Sequence, residues 1–412
     1  MYPNDSAETK QWSVRPRRLR DVMFLSLVHR ALHNRIDGRL TLTLPSGACR
    51  VIGRSGDHAE VHIHHLRGVL RAMRRGTLGF AEAILQGEMS SPDLEAVFRF
   101  FIDNRLRLEA AGRGAFRVRG ADIAYHAGRA NSRTGSRENI AEHYDLGNDF
   151  YAAWLDPGMA YSSGLYLAPD ATLDDAQEAK YEAVLSALDL RRGHRVLEIG
   201  CGWGGFAEAA AARGADLTAI TLSARQLAYT RQRISAMTPA PDPAPEIAFR
   251  DYRDTDGTFD RIASIEMIEA VGAEHWQTYF DTLKARLAVR GVAVIQAITI
   301  REASFAVYSA RPDFIQRYVF PGGMLPTKTH LQSHAEAAGL TFETTCTFGP
   351  DYARTLRAWQ SRFNDQWPQI AAMGFDERFR RLWNYYLSYC SAGFDRGVID
   401  VGIYKFRRPE VA

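Results

Sequence analysis

The chain has 412 residues, of which 46% are hydrophobic and 24% are charged, as is typical of a folded globular protein. No apolar run approaches the roughly 18 to 20 residues of a membrane-spanning helix, and the N-terminus lacks a basic region followed by an apolar stretch. These features argue against a transmembrane or secreted class and predict a cytoplasmic protein of two or three domains. The four cysteines lie far apart, which argues against disulfides and a structural zinc site.

Charge is distributed unevenly along the chain. Residues 1–125 hold 20 of the 51 basic and 13 of the 48 acidic residues, a net charge of +7, which leaves −4 for the remainder. This asymmetry predicts that the N-terminal part meets an anionic surface, either phospholipid or nucleic acid. A solvated arginine-rich face is the alternative. Nucleic acid is the weaker interpretation, because no RNA-binding or helix-turn-helix pattern accompanies the charge.

The N-terminal part is predicted to be a small α+β domain. Residues 1–20 form a basic arm, residues 21–36 have helical character, and residues 38–47 alternate like a strand that ends in a tight turn. A further helix is expected to begin at Ser91 or Pro92. The stretch "HAEVHIHH" contains four histidines, and no partner is spaced to complete a metal site, so surface histidines and no metal are expected.

The organisation of the chain changes after a polar segment. Residues 126–139 are rich in Gly, Ser and Arg and have no periodicity, which predicts a linker to a catalytic domain over residues 140–412. There, continuous apolar strands alternate with amphipathic helices. This pattern predicts an α/β fold, a Rossmann-like parallel sheet with helices on both faces.

A glycine-rich turn follows the first strand of that sheet, in "RVLEIGCGWGG". Glycines without Cβ atoms let the backbone turn sharply and lie against a ligand at the start of a helix. The spacing fits both a dinucleotide and S-adenosylmethionine. A dinucleotide fold usually has an acid at the end of the second strand, where this chain has Thr221 and Ser223. Glu198 instead precedes the glycines, where a carboxylate can face an amino group, and this favours S-adenosylmethionine.

At these residues the chain resembles the cyclopropane fatty acid synthases, class I S-adenosylmethionine-dependent methyltransferases that act on unsaturated chains of membrane phospholipids. The likeness spans residues 137–405, and the N-terminal part looks like the small helper domain of bacterial members. The motifs that carry it are "AEHYDLGNDFYAAWLDPGMAYSS", "VLEIGCGWGG", "ITLSARQ", "RDYRD", "FDRIASIEMIEAVG", "YVFPGGMLP", "GPDYARTLRAW" and "YYLSYCSAGF".

The resemblance implies a binding site for S-adenosylmethionine. The residues that would form it are Tyr161 and Ser162 closing over the donor, Glu198, Gly200 and Gly202 at its methionine and ribose, Thr221 and Gln226 at the ribose, and Asp251 and Tyr252 beside the adenine. From the residues alone, Ser223 and Gln226 also have the spacing of a capping box at the start of a helix. One residue can both cap and bind.

The resemblance also implies a bound bicarbonate that acts as the base. The groups that would hold it are Glu269, Tyr352, Ser163, Gln296 and the backbone of Ile298. Ser163 and Gln296 stand where the family has cysteine and histidine, and Ala270 stands where better known members have histidine. Serine and glutamine can hydrogen-bond an anion but supply no positive charge, which weakens its retention.

Methyl transfer to an alkene requires a pocket that excludes water. An isolated alkene is a weak nucleophile, so its attack on a sulfonium methyl needs alignment, exclusion of water, and negative or π-rich groups around the carbocation. We expect a cyclopropane product. A methyl-branched or methylene-bearing chain is the alternative if the cation loses a different proton.

Several residues allow both a functional and a structural interpretation. His143 resembles a residue near the donor and the acceptor, with a structural histidine as the alternative. Tyr389 and Phe394 are expected to line the acyl tunnel, with core packing as the alternative. Cys201 is given no catalytic role, because no histidine or acid stands at a motif spacing from it.

The expected partner is an unsaturated phospholipid, reached by peripheral binding to an anionic membrane, with apolar residues of 304–326 as a lid over the acyl site. A homodimer is left open. A small-molecule amine N-methyltransferase is one alternative function, against which the N-terminal domain argues. A donor-binding sensor or partner protein without catalysis is another, and the joint presence of Glu269 and Tyr352 argues against it.

Overall fold

The computed structural model describes residues 16–111, 129, 131–132, 135–136 and 146–410. The chain forms two compact units, Met1–Phe116 and Arg117–Ala412. The predicted linker falls almost entirely outside the described residues, so it stays a prediction. No described helix has the length and apolar character needed to cross a bilayer.

The smaller unit is built on a four-stranded sheet in the order β2-β1-β3-β4. Strands β1 and β2 form an antiparallel hairpin, whereas β1 and β3 are parallel. The strands are β1 (Arg39–Thr43), β2 (Cys49–Gly53), β3 (His58–Ile63) and β4 (Met89–Ser90), and the helices are Pro16–Leu32, Leu66–Leu85, Leu94–Asp103 and Arg105–Ala111. The predicted α+β character of this part is what the structure has. The helix expected over residues 21–36 instead spans Pro16–Leu32, so the C-terminal end of the predicted basic arm is helical.

One helix of this unit begins later than the sequence analysis expects. The helix starts at Leu94, because the side chain of Asp93 accepts a hydrogen bond from the N–H of Ala96 at 2.9 Å and caps it. Ser91 and Pro92 therefore lie before the helix. A second irregularity is at Gly76, where φ of +58° and ψ of −133° interrupt the long helix.

The larger unit contains a seven-stranded sheet in the order β10-β11-β9-β8-β5-β6-β7. Strands β9, β8, β5, β6 and β7 are parallel to one another, and β11 runs antiparallel to both of its neighbours. The strands are β5 (Arg195–Ile199), β6 (Asp216–Thr221), β7 (Glu246–Phe249), β8 (Phe259–Ile265), β9 (Leu287–Ile300), β10 (Thr341–Thr347) and β11 (Ile399–Arg407).

Helices flank this sheet and carry most of the remaining chain. They are Asn148–Ala152, Leu173–Ala187, Gly205–Ala212, Ala224–Ser235, Trp276–Arg286, Glu302–Ala310, Phe314–Tyr318, Lys328–Ala337, Gly349–Asp365, Trp367–Ala372 and Glu377–Asp395, with short 3-10 turns at Tyr252–Asp254, Ile268–Ala270 and Ala273–His275. Strand residues such as Leu197, Ile220 and Ile295 are almost fully buried, which is why these strands are apolar in continuous runs. The predicted Rossmann-like fold is confirmed, and it brings the carboxyl ends of β5, β6 and β8 to one edge.

Candidate active site

A cavity lies at this edge, beside the glycine turn. Gly200 has a φ of +84°, and a Cβ added there would stand 3.0 Å from Cγ of Met267. The turn therefore needs glycine at this position. Of the nine residues that the sequence analysis assigns to the donor, eight line the cavity: Tyr161, Ser162, Glu198, Gly200, Gly202, Thr221, Gln226 and Tyr252.

Glu198 is the acidic group of this cavity. It lies on β5 and is 3% exposed, and its Oε2 accepts no hydrogen bond from the described residues. Burial raises the pKa of Glu198 to about 8, although Lys180 and Arg233 oppose the shift. A buried carboxylate with an unpaired oxygen at a cavity wall suits a cationic ligand group. The residues present therefore fit the amino group of S-adenosylmethionine.

The end of β6 supplies two polar residues. The hydroxyl of Thr221 donates to Oε1 of Gln226 at 3.0 Å, and the side chain of Ser223 accepts from the N–H of Gln226 at 3.3 Å. Ser223 thus caps the helix Ala224–Ser235, as predicted from the sequence. Capping holds Gln226 at the cavity wall, where its amide is available to a ribose.

Asp251 is the predicted donor-binding residue that does not line the cavity. It is 1% exposed, and its two oxygens accept from the guanidinium of Arg253 at 2.8 and 2.7 Å. Its Oδ1 also accepts from the N–H of Arg253 at 2.9 Å. Asp251 therefore shapes the turn that brings Tyr252 to the cavity, and its contact with adenine stays a prediction.

A buried lysine that the sequence analysis missed holds Ser162. Lys180 lies on the helix Leu173–Ala187, and its Nζ donates to Oγ of Ser162 at 2.8 Å and to Oε1 of Gln177 at 2.7 Å. Burial lowers the pKa of Lys180 to about 8, and nearby carboxylates oppose the shift. A lysine in an ordinary helical position gives no sequence signal of such burial.

A glutamate that the sequence analysis missed stands among the predicted catalytic residues. Glu266 directly follows β8 and lines the cavity. Its Oε1 accepts from the backbone N–H of Ser163 at 2.9 Å and from Nε2 of Gln296 at 2.8 Å, and its Oε2 accepts from the hydroxyl of Tyr352 at 2.7 Å. Burial raises the pKa of Glu266, and these bonds oppose the shift. Its place at the carboxyl end of a parallel strand is the signal that could have found it.

Glu269 lies in the 3-10 turn that follows. Its Oε1 accepts from the backbone N–H of Ile298 at 2.5 Å, and its buried Oε2 has no hydrogen-bond partner among the described residues. Burial and the neighbouring Glu266 raise the pKa of Glu269 to about 8. Two carboxylates held together in a buried place favour a positive charge between them.

The five groups that the resemblance assigns to bicarbonate are thus engaged with protein carboxylates. The residues Ser163, Gln296 and Tyr352 each donate a hydrogen bond to Glu266. The N–H of Ile298 donates to Glu269, which is the fifth group. The hydroxyl of Ser163 donates to the carbonyl oxygen of Gly164 at 2.9 Å. A further anion would meet two carboxylates and none of these donors, so the residues present do not fit a bound bicarbonate.

Aromatic rings surround this group. The ring of Tyr352 stacks on Phe394 with 4.4 Å between centroids. The hydroxyls of Tyr161 and Tyr386 lie 3.0 Å apart, and the ring of Tyr161 lies 5.3 Å from that of Trp359. Such π-rich walls attract a cation and exclude water.

The residues expected to serve the acyl chain lie on nearby elements. Phe394 packs on Tyr352, whereas the hydroxyl of Tyr389 donates to Oδ2 of Asp313 at 3.2 Å. In the segment expected to be a lid, the N–H of Met324 donates to the carbonyl oxygen of Glu269 at 2.8 Å. The structure thus attaches this segment to the catalytic turn, and the tunnel and lid stay predictions.

The histidines and the cysteine that the sequence analysis discusses are buried, form hydrogen bonds within their own unit, or lie outside the described residues. His143 lies outside the described residues. Cys201 is buried, and burial raises the pKa of its thiol well above the usual range, as expected of a structural cysteine. In the smaller unit, His58, His62 and His64 hydrogen-bond to Thr41, Glu60 and Ser90.

Comparison with known proteins agrees with this geometry. The family described as mycolic acid cyclopropane synthetase matches residues 131–404. The tuberculostearic acid methyltransferase UfaA1 of Mycobacterium tuberculosis is 36% identical over 392 residues, which cover 92% of this chain and 91% of that protein. The cyclopropane-fatty-acyl-phospholipid synthase of Escherichia coli K12 is 32% identical over 347 residues, which cover 82% and 84%.

Solved structures are similar as well. The mycolic acid cyclopropane synthase CmaA1 complexed with SAH and CTAB has a TM-score of 0.60 and 29% identity, and the match covers 66% of this chain and 98% of that one. Coclaurine N-methyltransferase has a TM-score of 0.59 at 17% identity, over 80% of this chain and 99% of that one. At that identity the likeness concerns the fold alone.

The sheet, the glycine turn and these similarities define the chain as a class I S-adenosylmethionine-dependent methyltransferase. It belongs to the mycolic acid cyclopropane synthetase family. The resemblance to cyclopropane synthases that the sequence motifs indicate is thereby confirmed.

Proposed function

We propose that the chain transfers the methyl group of S-adenosylmethionine to the double bond of an unsaturated fatty acyl chain in a membrane phospholipid, and that the product is a cyclopropane fatty acid. One observation carries this proposal. The donor cavity is lined by the buried Glu266, beside the buried Glu269, so a positive charge on the reacting carbon would meet two carboxyl groups and favour their ionised forms.

The donor, when bound, supplies an electrophilic methyl carbon. Glu198 would hold its amino group, and Thr221 and Gln226 would hold its ribose, because these side chains meet at the ends of adjacent parallel strands. Ser162, fixed by Lys180, would close the cavity from the other side. These residues orient the donor and leave the methyl group toward the carboxylates.

The acceptor side suits an apolar substrate that passes through a cation. Oε2 of Glu269 is buried without a hydrogen-bond partner among the described residues, the hydroxyl of Tyr352 donates to the neighbouring Glu266, and Tyr161 lines the donor cavity. Carboxylates and rings steady positive charge on a carbon, and a dry wall keeps water from trapping that carbon as an alcohol. An amine is a much stronger nucleophile than an alkene and its methylated product is not trapped by water, so an amine substrate would not need the dry wall.

Membrane attachment is assigned to the smaller unit. Leu66, Leu70 and Met73 are 48%, 52% and 58% exposed, and their spacing places them on one helix face beside the exposed Arg74. An apolar stripe with a basic neighbour suits a peripheral contact with anionic lipid. Within "RAMRR", however, Arg71 forms an ion pair with Glu88 and Arg75 forms one with Glu82. The net positive charge at this part of the surface is therefore smaller than the sequence alone indicates.

A methylene-bearing product is the second candidate. Two observations favour it: Ser163 and Gln296 differ from the residues that the resemblance implies, and one similar relative, from Pseudomonas putida, carries the name of a probable fatty acid methyltransferase and not that of a cyclopropane synthase. Both products add one CH₂ unit to the chain. In the ring product, the added carbon loses a proton and bonds to the cationic carbon. In the methylene product, a hydride first moves between the two former alkene carbons, and the added carbon then loses a proton to form a double bond.

The test is incubation of the purified chain with S-adenosylmethionine and vesicles of dioleoyl phosphatidylglycerol and dioleoyl phosphatidylethanolamine. Mass spectrometry of the fatty acid methyl esters should show a gain of one CH₂ unit on the oleoyl chain, and fragmentation separates a ring from a methylene group. Intact donor binding without any lipid product, together with methylation of a small amine, would contradict the proposal.

A further inference from the structure

We infer that Glu266 is the base of this reaction, a carboxylate built into the chain where the resemblance implies a bound bicarbonate. The inference rests on the proposed function, because it assigns the group that removes the proton after methyl transfer. It replaces an exchangeable anion by a side chain. It therefore predicts that the wild-type reaction needs no bicarbonate.

The first support is the arrangement of donors. The N–H of Ser163, the amide of Gln296 and the hydroxyl of Tyr352 all point to one carboxylate, at distances of 2.7 to 2.9 Å. A carboxylate has about four acceptor sites, and three are used here. Among the described residues Tyr352 is the one donor to Oε2, so this oxygen keeps an acceptor site for a proton from the substrate.

The second support is the backbone. Glu266 has a φ of +50°, in the left-handed region that side chains other than Gly, Asn and Asp seldom adopt. A glutamate kept in this conformation costs stability, and such outliers cluster at functional sites. The turn is fixed by the N–H of Glu266, which donates to the carbonyl oxygen of Gln296 at 2.8 Å. The backbone thus directs the side chain into the cavity.

Glu266 suits this role better than Glu269. Three donors from other residues, one of them a hydroxyl and one an amide, stabilise the charged form of Glu266, whereas Glu269 accepts from the backbone N–H of Ile298 and from its own N–H. The buried Lys180 adds a positive charge that favours the ionised form of Glu266. Glu269 is left to steady the positive charge on the substrate, and Glu266 to accept the proton.

The step balances as follows. The π electrons of the alkene form a bond to the donor methyl carbon, and the pair of the breaking sulfur–carbon bond stays on sulfur. One alkene carbon then carries the positive charge. Oε2 of Glu266 takes a proton from the added methyl group, and the released C–H pair forms the carbon–carbon bond that closes the ring. The protonated Glu266 returns its proton to solvent after product release.

Two variants separate this role from packing. Glu266→Gln keeps the size of the side chain but cannot accept the proton, so turnover should fall by about 10² to 10⁴. Glu266→Gly removes the carboxylate and relieves the left-handed backbone, so the chain should fold and leave the three donors free for an external anion. Glu343→Gln, at an exposed position of β10, is the matched control and should behave as wild type.

Each protein is assayed on the same oleoyl vesicles in buffer freed of carbon dioxide, with and without millimolar bicarbonate. Wild type should be equally active in both buffers, and Glu266→Gly should be active only when bicarbonate is added. Calorimetry with S-adenosylmethionine should show donor affinity within a few-fold of wild type for both Glu266 variants. That readout shows whether the variants are folded.

Bicarbonate binding gives a readout without turnover. Titration with ¹³C-labelled bicarbonate, followed by NMR, should show specific binding to Glu266→Gly and none to wild type. The inference is overturned if wild type binds bicarbonate or loses activity without it, or if Glu266→Gln keeps most of the activity. A failure of the proposed function is distinct, because wild type would then form no methylated acyl chain in either buffer.

Discussion

The two sides of the cavity differ in how closely they follow the family pattern. On the donor side, eight predicted residues line one cavity, and the unpaired oxygen of Glu198 stands where an amino group is expected. On the catalytic side, Ser163 and Gln296 depart from the pattern, and a glutamate that the resemblance does not assign binds them. The donor is the same molecule throughout such enzymes, so its side is constrained, whereas the base can be supplied in more than one way.

Beyond the Glu266 variants, the largest effect on turnover is expected from Glu269→Gln. The substitution keeps an acceptor for the N–H of Ile298 but removes the carboxyl group, whose ionised form a neighbouring carbocation would favour. We expect turnover to fall by about 10² to 10³, with donor affinity changed less than threefold. Steady-state kinetics and donor calorimetry measure the two quantities. Equal losses in turnover and donor affinity would contradict a role confined to the acceptor side.

Tyr352→Phe should have a smaller effect. It removes one hydrogen bond to the buried Glu266, so we expect a ten- to hundredfold loss of turnover, roughly the value of one bond to a charged group. The stacking on Phe394 should persist. Donor affinity should again be unchanged. Wild-type turnover in this variant would show that the hydroxyl does not position the base.

On the donor side, Glu198 should release a proton when the donor binds. Its pKa is raised to about 8, so the free protein holds the proton at pH 7, and a cationic amino group would lower that pKa. The binding enthalpy should therefore vary with the ionisation enthalpy of the buffer. Glu198→Gln should abolish most of this dependence and weaken donor affinity about tenfold. The buried Lys180, which also titrates near pH 8, accounts for any dependence that remains.

Membrane affinity should depend on the smaller unit. Arg74→Gln should weaken binding to anionic vesicles about fivefold, the value of roughly 1 kcal/mol for one basic residue near the surface. Arg192→Gln, an exposed substitution in the larger unit, is the control. Vesicle sedimentation measures both. Equal losses in the two variants would point to a diffuse charge effect and not to the stripe of Leu66, Leu70 and Met73.

The last effect concerns stability and not turnover or binding. Glu269 has a pKa of about 8 in the folded chain against an ordinary value of 4.5, so the folded state retains a proton that the unfolded state loses. The free energy of unfolding of wild type should therefore fall relative to that of Glu269→Gln as the pH rises from about 4.5 to 8. Urea unfolding across this range measures the difference. A gap that does not change with pH would contradict the raised pKa.

Much of the fold could be predicted from the sequence, because the continuous apolar strands and the glycine turn are local patterns. Glu198 and Thr221 could be predicted for the same reason, since each lies at the end of such a strand. Glu266 also follows a strand, which is the signal that could have found it, but its role, like that of Lys180, arises from burial and from partners such as Tyr352, 86 positions away along the chain. Asp251 differs in another way: its carboxylate turns to Arg253, two positions along, and not to the cavity.

The central claim is that a methyl group is placed on an acyl double bond and then loses a proton to a base in the site. Turnover of oleoyl phospholipid with a donor that carries a trideuterated methyl group tests it directly. The proposed reaction retains two deuterium atoms in the product, because the base removes the third. A product that retains all three, or an acyl chain with no label, would contradict it.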